Sequence, residues 1–338
     1  MSIPMLKVKG LKKYFPIEKG FIKHTVGNVK AVDGIDFDVN DMETVGLVGE
    51  SGCGKSTTGN CIVRLLNPTG GEIMFRTKED RYIDLATISL KEMKPYRSQI
   101  QMIFQDPYSS LNPRMTVHDI IAEPIRIFNT RNVGEVDDKV KNLMRRVGLP
   151  PEYMIRYPHA FSGGQRQRIG IARALALNPR FVVCDEAISS LDVSVQAQIL
   201  GLLEDLRDEF NMSYLFIAHD LSAVKHISNR VVVMYVGKIF EIAETTELFR
   251  HPLHPYTEAL LASVPKLVAN KAVRKETITG EVPDPSNPPS GCYFHPRCKY
   301  ATAECSEADQ HLFSVNGENG TPHLTSCIHY DKLSLRGV

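Results

Sequence analysis

The chain has 338 residues, 43% of them hydrophobic, with 40 Lys and Arg against 39 Asp and Glu for a formal net charge of +1. This excludes wholesale disorder and a collagen-like repeat, and a globally basic nucleic-acid surface, although a local patch remains open. The length leaves room for two domains, or one long domain with an appendage. No apolar run approaches the roughly 20 residues that span a bilayer. The opening MSIPMLKVKG lacks a signal-peptide core. The expected place is the cytosol, with docking onto membrane partners left open.

Apolar patterning predicts strands over 5–15 and 30–40. Val45, Leu47 and Val48 form a short buried strand that enters a Gly-rich loop. A helix over 56–66 follows, turns at 67–71, and gives way to mixed strands and a polar connector over 72–104. Thr116 and Asp119 suggest a capping box for a helix over 117–128, bent at Pro124. A second helix over 135–147 stops at Gly148 and Pro150, and Ser162 caps a third over 163–177. A buried strand over 181–184, a helix over 193–209 and a strand over 214–217 come next. Residues 231–242 read as a hairpin turning at Gly237-Lys238. Strand–helix–strand alternation predicts an α/β fold with a largely parallel sheet between helical layers. After about residue 250 the chain becomes Pro-punctuated, and 251–338 read as a small accessory domain with little regular structure.

The loop Gly49-Glu50-Ser51-Gly52-Cys53-Gly54-Lys55-Ser56-Thr57 is a full GxxxxGK[ST] pattern between a strand and a helix. Its glycines let backbone N–H groups face phosphate oxygens. Lys55 is placed for the β- and γ-phosphates, and Ser56 for Mg²⁺. Cys53 reads as a small tolerated residue. Asp185-Glu186 closes the apolar run Phe181-Val182-Val183-Cys184, at the strand tip where open α/β sheets bind ligands. Asp185 is placed to hold Mg²⁺, and Glu186 to polarise an attacking water as general base. Arg166 and Arg168 read as a solvated basic face.

Residues 161–168, Phe-Ser-Gly-Gly-Gln-Arg-Gln-Arg, resemble the signature motif of ABC-transporter ATPases, with Phe161 where the family usually has Leu. The order also fits that family: P-loop, Gln105, signature, Asp185-Glu186, Ser190-Leu191-Asp192, His219. The likeness covers roughly residues 1–245. QDPYSSLNPR at 105–114, HPLHPYTEALLASVP and GCYFHPRC narrow it to the ATPase subunits that power oligopeptide, dipeptide and nickel uptake.

The resemblance implies a P-loop NTPase (RecA-like) core with an antiparallel β subdomain, a helical subdomain inserted at about 106–176, and a small irregular C-terminal domain. The ATPase domain would span 1–250 and the accessory domain 251–338. The implied cofactors are ATP and Mg²⁺. Phe15 would stack on adenine, with Tyr14 the alternative. Gln105 would contact Mg²⁺ or water and signal to a membrane subunit, and His219 would steady the γ-phosphate and the water. Ser162, Gly163, Gly164 and Gln165 would form a second anion site at a helix N-terminus. It would serve a partner's ATP, with Ser190 and Asp192 along the seam. The partners implied are a second, homologous ATPase chain, two transmembrane permease subunits and, indirectly, an extracytoplasmic binding protein. The docking surface would lie near Gln105 to Met115. The subunit would sit peripherally on the cytoplasmic face of the cell membrane and energise import of di- or oligopeptides, or of nickel or another small nutrient. A soluble ABC ATPase acting on nucleic acid or ribosomes is the alternative from a different class. Near-neutral charge and a single set of ATPase motifs stand against it.

Four of the seven cysteines crowd the C-terminal stretch: Cys292, Cys298, Cys305 and Cys327. Their spacing matches neither a zinc-finger pair nor the compact ferredoxin run. Spacing alone leaves a metal site, unconnected thiols and disulfides open. The family resemblance implies a [4Fe-4S] cluster on these four. Nothing in the sequence places them near the nucleotide loop.

Overall fold

The computed structural model describes residues 3–20, 24–128, 133–189, 191–263, 278, 280–317 and 320–338. Two sheets organise it. β1 (Pro4–Lys19) and β2 (His24–Asn40) make one long antiparallel hairpin. β3 (Thr44–Val48) leaves it for the central sheet. β4 (Gly70–Arg76) and β5 (Tyr82–Asp84) return, giving a four-stranded antiparallel sheet in the order β2-β1-β4-β5.

The central sheet adds β6 (Ile100–Ile103), β7 (Phe181–Asp185), β8 (Ser213–Ile217), β9 (Arg230–Tyr235), β10 (Lys238–Glu244), β11 (Phe313–Asn316) and β12 (Pro322–Thr325). Its order is β11-β12-β10-β9-β3-β8-β7-β6. β6, β7, β8, β3 and β9 run parallel, and the β10 side is antiparallel. Every residue of TVGLV, FVVCD and SYLFI is buried. This is why these strands read as unbroken apolar runs: layers cover both faces of a parallel sheet.

α1 (Lys55–Ile62) follows the loop after β3. The short α2 (Leu90–Met93) carries a capping box from Ser89. α3 (Pro107–Ser110), α4 (Val117–Phe128), α5 (Val133–Arg146) and α6 (Gly163–Leu175) form the helical layer between β6 and β7. Val117, Ile120, Ile121 and Ile125 of α4 meet Val136, Val140, Leu143 and Met144 of α5 in one core, with Ile169 and Ala172 of α6. Arg166 departs from the solvated reading. It is buried, its Nε donates to the Pro158 carbonyl (2.8 Å), and its guanidinium lies 3.7 Å from the Tyr108 ring centroid. Arg168 likewise donates to the Val147 carbonyl (2.7 Å). Both arginines tie loops of the helical layer to α6.

α7 (Val193–Phe210), α8 (Leu221–Ile227), α9 (Thr245–Arg250) and α10 (Pro255–Ala262) complete the helices. The C-terminal stretch holds more regular structure than its composition suggests. β12 pairs with β10, so residues from the 320s extend the central sheet. The buried Glu241 carboxylate of β10 accepts from the Leu253 and His254 amides, the Thr257 hydroxyl and His323 Nε2 (2.7 Å). Among the described residues no helix is long and apolar enough to cross a membrane.

Candidate active site

β3 is buried along its whole length and releases the chain into the P-loop at the C-terminal edge of the parallel strands. Two glycines are obligatory there. Gly54 caps α1 at φ 106°, where a Cβ would run into the Ala31 carbonyl oxygen. A Cβ on Gly49 would meet the Met234 carbonyl oxygen. Lys55 is buried, and its ammonium donates to the Gly49 (2.7 Å) and Glu50 (2.9 Å) carbonyls. Cys53 is buried under the loop, 3.7 Å from Lys55 Nζ, and burial pushes its thiol up. A buried thiol of this kind is inert.

Neighbouring strands bring the remaining groups to the same edge. Ser56 Oγ donates to Asp185 Oδ1 at the end of β7 (2.7 Å). Burial raises the Asp185 carboxyl above its ordinary range, against the Ser56 hydrogen bond, and Glu186 next door adds to the rise. Gln105, just beyond β6, donates from Nε2 to Glu186 Oε2 (2.6 Å). His219, just beyond β8, places Nδ1 3.6 Å from the same oxygen. Glu186 itself sits at φ 45°, and its N–H donates to the Ile217 carbonyl (2.9 Å). Gln105, Glu186, His219 and the Ser56–Asp185 pair therefore form one cluster beside the P-loop.

The signature is built separately. Ser162 Oγ accepts from Gln165 N–H (3.3 Å), and Gln165 Oε1 accepts from Ser162 N–H (3.1 Å). This reciprocal cap leaves the first turn of α6 facing outward, with Ser162 exposed. Gly164 has no room for a side chain, since a Cβ would lie 2.6 Å from Val195 Cγ1. Gly163 lies beside Leu191, and Asp192 is the exposed N-cap of α7. Ser190 lies outside the described residues. On β1, the Phe15 ring is 36% exposed with Lys13 Nζ 4.9 Å from its centroid. The Tyr14 hydroxyl instead donates to Asp33. Phe15 is thus the ring left available to a flat ligand.

The C-terminal stretch touches this site, which sequence reasoning missed. Tyr256 Oη accepts the Glu50 N–H (2.8 Å), and Arg297 holds the Glu50 carboxylate with two hydrogen bonds (2.6 and 3.1 Å). The signal lay in GCYFHPRC, whose arginine went unread beside its cysteines.

All seven cysteines are free. Cys292, Cys298, Cys305 and Cys327 line one small cavity with His254. Burial pushes the Cys292 thiol up to about 11 and that of Cys327 to about 12, and the neighbouring cysteines add to both. His254 Nδ1 accepts the Tyr256 N–H (3.0 Å), which puts the ring proton on Nε2. That Nε2 is buried without a hydrogen-bond partner among the described residues. Among the described residues no group of three or more His, Cys, Asp or Glu side chains converges tightly enough to hold a metal ion.

A second cavity, of about 570 Å³, opens between the sheet and the helical layer. It is lined by Leu65, Met102, Phe104, Glu123, Ile127 and Arg173 among others.

A strand–loop–helix phosphate cradle, an Asp-Glu pair at the next strand tip and a separate capped signature helix define a P-loop ATPase of the cassette class. The family profile described as "ABC transporter" matches residues 32–189, and that of the "Oligopeptide/dipeptide transporter, C-terminal region" matches 240–305. The oligopeptide transport ATP-binding protein AppF of Bacillus subtilis is 52% identical over 306 residues, covering 90% of this chain and 92% of that one. The dipeptide transport ATP-binding protein DppF of Haemophilus influenzae is 46% identical over 330 residues, covering 98% of each. The oligopeptide transport ATP-binding protein OppF of Salmonella typhimurium is 46% identical over 336 residues, covering 97% of each. Among solved structures, the ATP-binding cassette MJ0796 with ADP and Pi matches at TM-score 0.62 and 24% identity, covering 71% of this chain and 99% of that one. CbiO1 of Clostridium perfringens matches at TM-score 0.61 and 26% identity, covering 73% of this chain and 90% of that one. The chain belongs to the family of ABC transporter ATP-binding subunits of the oligopeptide/dipeptide type.

Proposed function

We propose that this chain hydrolyses ATP to drive import of di- or oligopeptides, working from the cytoplasmic face of a membrane with two permease subunits and an extracytoplasmic binding protein. The observation that carries the reading is the cluster of Gln105, Glu186 and His219 beside the Ser56–Asp185 pair.

The P-loop amides and Lys55 would hold the phosphates, and Phe15 would stack on adenine. When bound, Mg²⁺ supplies charge neutralisation at the β- and γ-phosphate oxygens. Ser56 and Asp185 would hold it, with Gln105 at its edge. Glu186 takes a proton from the attacking water, and His219 orients the water and the γ-phosphate. The amides of Gly163 and Gly164 behind the exposed Ser162, with Gln165 and Asp192, suit the γ-phosphate of a partner's ATP. A homologous second ATPase chain is that partner. The 570 Å³ cavity beside Phe104 suits a permease helix.

The four C-terminal thiols and the orphaned His254 Nε2 suit a [4Fe-4S] cluster better than one zinc ion. Zinc needs all four sulfurs within roughly 2.3 Å of one point, whereas a cluster takes the same Cys₄ set on a larger frame. ATP turnover and peptide uptake by the assembled transporter in proteoliposomes test the main reading. Peptide uptake that continues unchanged when the chain carries Glu186→Gln would refute it.

A further inference from the structure

Arg297 lies in the C-terminal stretch, 247 positions from Glu50 in the P-loop. Its side chain is only 5% exposed. Two guanidinium nitrogens take the Glu50 carboxylate, and Nη1 also donates to Tyr235 Oη (3.0 Å). A two-pronged, charge-assisted pair fixes orientation as well as distance. Glu50 has no slack left. Its N–H goes to Tyr256 Oη, and its carbonyl accepts from Lys55 Nζ. Movement of Arg297 therefore passes through one residue to the phosphate-binding lysine.

The same segment reaches the other wall of the site. Tyr293 Oη donates to Asp33 Oδ2 (3.2 Å), whose other oxygen accepts from Tyr14, the neighbour of Phe15. Lys238 pairs with the same carboxylate (3.4 Å). Slightly upstream, the Pro285 carbonyl accepts the Lys30 N–H (3.0 Å). The segment is short and stiff. His295–Arg297 form a single 3₁₀ turn, and Cys292 N–H is anchored on the Cys305 carbonyl (2.8 Å).

We propose that Tyr293–Arg297 is a strap that positions the nucleotide site, with Arg297 setting the P-loop through Glu50 and Tyr293 setting the hairpin through Asp33. Neither residue touches the reacting atoms; both are positioning residues. The proposal rests on the ATPase reading above.

The test uses the full chain in the assembled transporter, with ATP titration of KM and kcat. Arg297→Ala should raise the KM for ATP about tenfold with a smaller fall in kcat. Arg297→Lys should restore less than half of that loss, because an ammonium cannot grip both carboxylate oxygens. Tyr293→Phe should raise KM two- to threefold. Tyr300→Phe, which loses a hydrogen bond to Glu258 (3.1 Å) away from the P-loop, serves as the control and should leave KM unchanged. If Arg297→Ala fails to assemble, direct ATP titration of the milder Arg297→Lys chain decides. Unchanged KM in the arginine variants, or an equal rise in Tyr300→Phe, overturns the strap. Absence of ATP turnover in the parent transporter overturns the reading beneath it, and is seen before any variant is compared.

Discussion

Glu186 occupies left-handed backbone space, which costs a non-glycine residue on the order of 1 kcal/mol. The conformation turns its carboxylate toward Gln105 and His219. Glu186→Gln keeps the shape and loses the base, so ATP should still bind while turnover falls by about 10² to 10⁴, read by nucleotide titration beside steady-state hydrolysis. Phe15→Ala should weaken ATP by about 1–3 kcal/mol if the ring stacks on adenine, whereas Tyr14→Phe should leave that stacking intact. Tyr14 has a different consequence. Burial pushes the Asp33 carboxyl up, but the Tyr14 hydrogen bond and the Lys238 charge outweigh it and hold it below its ordinary value. Such a carboxyl stabilises the fold above the unfolded value near ~3.9 and loses that contribution as pH falls through its lower folded value. Tyr14→Phe should therefore lower the melting temperature at pH 7, with the gap to the parent closing in acid. The P-loop and Asp185-Glu186 were legible as short runs at a strand or helix end, whereas Gln105, the signature and His219 were picked out only through the family resemblance. Arg297 was not, because its partner is fixed only when the chain folds back on itself. Arg166 was misread because helical periodicity says nothing about the loop that covers it.

At the scale of elements, the start of α6 presents Ser162 outward, followed by the helix's two opening glycines. Ser162→Arg should leave ATP affinity of the isolated chain within about twofold while abolishing ATP-driven pairing followed by light scattering; the added cation would occupy the space and oppose the dipole. Unchanged pairing would remove Ser162 from the shared site. The longer helices α1, α4, α5, α6 and α7 were legible from their apolar patterning and from starts such as Thr116–Asp119 and the Ser162 cap, whereas the short α2, α3, α8, α9 and α10 were not. β11 and β12 were not, being four residues each, with only β12 joined to the rest of the sheet through the distant β10. Their hold on the core runs through His323, buried against Glu241 of β10. His323→Ala leaves a buried carboxylate short of a donor, and a loss of about 3 kcal/mol is expected. Thermal melting and faster proteolysis within 313–325 would report it.

The whole molecule joins three things: an ATPase core, a helical layer and a C-terminal stretch that reaches back to the P-loop. Purified without oxygen, the chain should contain about four irons and four sulfides if the four thiols hold a cluster. Cys327→Ser should then lose both. A chain with zinc and no iron, or with neither, would end the cluster reading. The overall architecture was legible because alternating strands and helices around a P-loop admit few arrangements. The attachment of the tail to the sheet was not, because no local pattern marks it. That attachment also has a cost in time. β10 pairs with β12, about 80 residues downstream, and at about 5–20 residues per second a ribosome needs roughly 4–16 s to supply that partner. Through that interval the nascent sheet carries an open edge and Glu241 waits without His323. The newborn subunit is therefore exposed to misassociation until β12 is available to pair with β10.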